Sequence, residues 1–113
     1  MSRHWIPDEA IEAAFEWLKQ SSEVVAAARV NVLRKEFMAK KVHAGLFRHA
    51  DGSVEARKAW ATDHEKYAQA MEEYFQAVEI WETLQDQRNK CEATIEAWRS
   101  QEASQRGVIR SAR

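Results

Sequence analysis

Proline occurs once, at Pro7, and glycine three times, at Gly45, Gly52 and Gly107. These residues interrupt regular helix most strongly, so their scarcity argues against a chain of many turns and for long helices. Cysteine is single. Cys91 has no partner for an internal disulfide, so no oxidising compartment is implied. No stretch reaches the ~20 apolar residues of a membrane span, and Met1–Pro7 leads into acids rather than the apolar core of a signal peptide. Cytoplasm is the expected compartment. Neither sign of charge dominates: the net charge is −1, which argues against a surface that is basic throughout.

The usual catalytic patterns are missing too. The glycines are isolated and cannot form a phosphate loop. His4, His43, His49 and His64 have no second ligand at a metal-binding spacing, and His64-Glu65 is followed by Ala68 where a zinc motif needs His. Neighbouring carboxylates such as Glu72 and Glu73 point in different directions on a helix. Cys91 lies on an apolar stripe, where a thiol behaves as a small hydrophobe. These patterns predict a non-enzyme with no cofactor and no metal.

What is present is helical periodicity. Tyr67, Met71, Tyr74, Val78, Trp81, Leu84, Cys91, Ile95 and Trp98 recur mostly at steps of three and four. The fold expected is all-α and a single domain over 1–113: an elongated antiparallel helical hairpin or small bundle. It would have a short N-terminal helix at 8–20, a helix at 22–48, a short helix at 53–61, one long C-terminal helix at 63–103, and a fraying basic tail at 104–113. About 40 residues of helix extend on the order of 60 Å, against a radius of gyration of roughly 13 Å for a compact domain of this size. A homo-oligomer is therefore expected to cover the long helix.

Local signals set these bounds. Pro7 with Asp8 and Glu9 suits a helix start, and Ser21-Ser22 followed by Glu23 suits a second one. Val25, Ala28, Val32, Ala39, Val42 and Leu46 share one face of the second helix, and Val24, Leu33, Phe37 and Phe47 widen it. Two apolar faces on one helix predict two neighbours. Gly52 fits the left-handed end of a helix and Ser53 the cap of the next. Thr62-Asp63-His64-Glu65 has the form of a capping box. Gln85–Lys90 is polar throughout. Either it is a solvated stretch of continuous helix, which the lack of Gly and Pro favours, or it is a turn that folds the chain into a four-helix bundle.

Charge is segregated along the chain. Arg29–His49 holds six Lys/Arg against Glu36, Asp63–Asp86 holds seven acids against Lys66, and the residues from Arg88 onward are basic again. The basic and acidic segments could lie side by side across a helical seam. Alternatively Arg34, Lys35, Lys40, Lys41, Arg57, Lys58, Arg99 and Arg106 form a phosphate-binding face. Among the five tryptophans, Trp60, Trp81 and Trp98 are candidate association residues.

Val32-Leu33-Arg34-Lys35, Gly52-Ser53-Val54-Glu55-Ala56-Arg57-Lys58-Ala59, His64-Glu65-Lys66-Tyr67 and Ile95–Ala103 occur in an order that resembles a family of small helical proteins of tailed phages and prophages. These are often encoded near recombination or single-strand annealing genes. The likeness extends from about Ile6 to Arg106 and brings no catalytic residue with it. It implies a non-enzymatic accessory protein of recombination or replication in the host cytoplasm, working by protein contact with single-stranded DNA as a candidate ligand. The other class compatible with the residues is a helical inhibitor or adaptor that docks on a host defence or replication protein. A secretion-type hairpin is disfavoured, because the turn lacks Trp-x-Gly.

Overall fold

The computed structural model describes residues 6–111. They form three helices and, among the described residues, no strand: α1 is Asp8–His49, α2 is Val54–Asp63 and α3 is Glu65–Ser111. His4 and Trp5 lie outside the described residues, as do the last two residues of the expected tail.

The N-terminal helix is not short. α1 is continuous for 42 residues and passes through Ser21-Ser22 without a break. Ser21 is partly buried and stands three residues after Leu18 and four before Val25, so the apolar stripe crosses it in register. A cap signal competes poorly with that periodicity, because starting a second helix would give up hydrogen bonds already made.

Gly52, at φ 105°, turns the chain after α1. The Ser53 hydroxyl then accepts the Ala56 N–H at 3.1 Å and caps α2. The next boundary falls later than the capping box predicts. Thr62 belongs to α2, and its hydroxyl meets His43 Nε2 at 3.1 Å. His64 takes the extended conformation instead. It ends α2 through its N–H to the Ala61 carbonyl, and its Nδ1 accepts the Lys66 N–H at 3.0 Å. One residue thus serves both helix ends.

α3 runs unbroken for 47 residues, through Gln85–Lys90 and past Ala103. The polar stretch stays helical because its side chains pair along the axis: Asp86 with Lys90 at 3.0 Å and Arg88 with Glu92 at 3.3 Å. Such pairs contribute about 0.2–0.5 kcal/mol each. The expected basic tail is helix as far as Ser111, with Arg110 in the last turn, where a cation suits the negative end of the dipole.

The chain divides into two compact units, residues 24–83 and residues 1–23 with 84–113. In the first, Arg29 meets Trp81, Lys35 meets Glu73 and His43 meets Tyr67, so α1 and α3 run antiparallel. Val25, Ala28, Val32, Lys35, Ala39, Val42 and Leu46 line the seam from α1 at alternating steps of three and four. Tyr67, Ala70, Tyr74, Ala77 and Trp81 line it from α3 in the same rhythm. Val25, Val32, Ala39, Ala70 and Ala77 are buried, while Tyr67, Tyr74 and Trp81 are partly covered. Small residues on the axis of contact let the helices approach closely, and the rings fold over the edges of the seam.

In the second unit, Ile11 and Ala14 of α1 pack with Cys91 and Ile95 of α3, and Trp17, Leu18 and Trp98 close around them. Gln101, only 2% exposed, accepts the Ile6 N–H at 3.4 Å. This cluster too is thin, so each buried side chain matters. Full burial of one such aliphatic group contributes roughly 1.5–3 kcal/mol.

Continuity of α1 is checked by Ser22→Pro. Inside an uninterrupted helix it should cost about 3 kcal/mol, read as a lowered urea midpoint; unchanged stability would place a helix start there. Ser53→Ala should cost about 1 kcal/mol through loss of the α2 cap.

Candidate interaction surface

In the unit of residues 24–83, the side of α1 turned away from α3 is apolar as well. Val30, Leu33 and Phe37 are 49%, 50% and 61% exposed. Their spacing of three and four places them in one row along the helix, with Ala26 continuing it one turn before Val30. The row exists because the basic segment of α1 carries two apolar periodicities offset around its circumference. α3 satisfies only one of them. Two neighbours were expected for this helix, and among the described residues of this unit the second face has none.

Cations edge the row. Arg34, Lys41 and Arg48 stand seven residues apart, which is two turns and about 10 Å per step, and all three are exposed. Lys41 Nζ lies 5.7 Å from the Phe37 ring centroid, close enough for a cation–π contact of about 0.5–1 kcal/mol at an exposed site. On the opposite edge Lys40 pairs with Glu36 at 3.2 Å. Among the described residues Arg34 and Arg48 make no ion pair.

The remaining candidate cations are dispersed. Lys35 sits at the seam, 3.8 Å from Glu73, the one ion pair between α1 and α3 among the described residues of this unit. The acidic and basic segments therefore lie on neighbouring helices, but most of their charges project outward instead of meeting. Arg57 clamps the end of α1. Its Nε and Nη2 donate to the Phe47 carbonyl at 3.2 and 3.1 Å, and its guanidinium lies 4.3 Å over the Phe47 ring. The same carbonyl accepts the Ala50 N–H at 3.3 Å, so the arginine adds a charged donor to one of the terminal carbonyls of α1. Lys58 is exposed on α2. In the other unit, Arg99 approaches Glu96 at 3.8 Å and Arg106 is exposed.

Of the described tryptophans, Trp60 is the exposed one; its ring stands edge-on to His64 at 4.9 Å. Trp81 lies under the Arg29 guanidinium at 4.9 Å, inside the chain's own packing. Trp98 belongs to the cluster around Ile95, and its buried Nε1 has no hydrogen-bond partner among the described residues. Beside the seam a shallow groove of about 210 Å³ is lined by Glu36, Ala39, Lys40, Tyr67, Met71 and Tyr74. It holds one carboxylate, one amine and two phenols, and the amine of Lys40 is paired with the carboxylate of Glu36. Among the described residues no group of three His, Cys, Asp or Glu is placed to hold a metal ion, and no helix is long and apolar enough to cross a membrane.

The apolar row was only half legible. Leu33 and Phe37 stood out in the sequence as widening the first face, whereas Val30 did not. The seven-residue spacing of Arg34, Lys41 and Arg48 is the signal that would have tied them together. Comparison with family models, curated proteins and solved structures finds no match.

Arg57→Ala should destabilise the fold by about 0.5–1.5 kcal/mol, because the Phe47 carbonyl loses its charged donor and keeps only the Ala50 N–H. Arg57→Lys should recover only part of this, since an ammonium cannot reproduce the two-pronged contact. Thermal denaturation of the three proteins side by side checks both.

Proposed function

We propose that this chain is a non-enzymatic accessory protein that works by docking on another protein through the outward face of α1 in the 24–83 unit. One observation carries the reading: Val30, Leu33 and Phe37 stand in a row in solvent with cations along their edge. A single exposed aliphatic residue is ordinary on a protein surface, but an aligned and charge-edged row is the composition of a contact surface. The resemblance to small tailed-phage helical proteins supports a setting in recombination or replication in the host cytoplasm. The same surface would serve an inhibitor or adaptor aimed at a host factor.

Protein contact is favoured over single-stranded DNA by what the cations do. Lys35, Lys40, Arg57 and Arg99 each have a partner within the chain. Non-specific strand binding relies on aromatic platforms along a basic track, and this face offers Phe37 alone among aliphatic neighbours.

The experiment is a mobility-shift titration with a labelled single-stranded oligonucleotide at low salt. The docking reading expects no shift. A shift that fades steeply with salt and disappears in Arg34→Glu/Lys41→Glu would replace it with a DNA-binding function, because each phosphate contact adds to the salt slope.

A further inference from the structure

Resting on that docking reading, we infer that the partner presents an acidic amphipathic helix, with apolar anchors three and four residues apart and carboxylates along their edge. The apolar row on α1 has the rise and spacing of a helix, so its ridges and grooves are complemented by another helix more closely than by a strand or a loop. Val30 and Leu33 offer no ring on which a base could stack. They offer the branched aliphatic surface into which a Leu or Ile anchor packs.

Charge then selects among helices. Arg34, Lys40, Lys41 and Arg48 surround the row and Glu36 is the acid beside it, already held by Lys40. A second copy laid antiparallel on this face would bring the Arg34–Lys41–Arg48 line against its own duplicate, and a parallel copy would bring it against Lys40 and a Glu36 already held by Lys40. Those like charges would fall within the roughly 8 Å screening length at physiological salt, and the contact would be opposed. A helix with Glu or Asp at the matching seven-residue interval meets the same line with attraction. From Ala26 to Arg48 the face covers about 33 Å of helix, so the complementary segment is about six turns long.

The test uses the full chain and two labelled synthetic helices by fluorescence anisotropy. One carries Leu anchors with Glu on the edges, and the other is the same peptide with every Glu replaced by Lys. The acidic peptide should bind at least about tenfold more tightly, with affinity falling as salt rises. Arg34→Glu/Lys41→Glu should reverse the preference. Phe37→Ala should weaken the acidic peptide by about tenfold while leaving the helical signal unchanged, because the ring is exposed. Equal binding of both peptides, a preference for the basic one, or binding of neither would overturn the inference.

Light scattering on the same samples separates this from failure of the docking reading. Self-association abolished by Phe37→Glu would show the face docking a second copy, so that only the acidic-helix inference falls. Displacement of the acidic peptide by a single-stranded oligonucleotide bound at Arg34 and Lys41 would remove both.

Discussion

The seam between α1 and α3 in the 24–83 unit rests on residues too small to cover much surface. Ala39, Ala70 and Ala77 lie on its axis beside Val25 and Val32. Small side chains let two helices come close, and closeness is what dispersion contacts require. They also limit how much each contact contributes. The unit therefore needs length and edge contacts: Tyr67 against His43, and Trp81 beneath Arg29. A layer of two helices has a further consequence. Each helix can turn only one side to the other, so a helix with two apolar sides must leave one in solvent. α1 is such a helix.

The joint between the helices is built more firmly than its exposure suggests. Gly52 makes the turn at positive φ, Ser53, Arg57 and His64 each satisfy backbone groups at a helix end, and His43 reaches α2 through Thr62 and α3 through Tyr67. The Gly-Ser-Val-Glu-Ala-Arg-Lys segment thus has structural duties here. Arg57 shows why a basic residue in a motif is weak support for nucleic-acid binding: its Nε and Nη2 already donate to the Phe47 carbonyl.

The outward face of α1 carries the functional proposal because it is the place where local composition and tertiary packing disagree. Valine, leucine and phenylalanine in a helix ordinarily mark a buried side, and here they are open to water beside arginine and lysine. That conflict is resolved if another molecule completes the packing. The exposed Trp60 near the turn does not form such a row, and Trp81 and Trp98 are engaged by their own chain.

The all-α class, the turn at Gly52-Ser53 and the unbroken passage through Gln85–Lys90 were determined by the residues themselves, since helix breakers and caps act within a few positions. So were Val25, Val32, Ala39, Tyr74 and Trp81 of the seam, because period alone assigns a face; the buried Ala70 and Ala77 were not, since the stripe legible in the sequence runs through the larger Met71 and Val78 beside them. Three things were decided only by tertiary structure. Ser21 continues α1 because its position in the stripe is partly buried, which no cap preference reveals. His64 rather than Thr62 starts α3, since His43 takes the Thr62 hydroxyl. And of the two apolar faces of α1, the one left in water is fixed by where α3 lies. A sequence gives the angle of a side chain around its helix; only the neighbours decide which angles are covered.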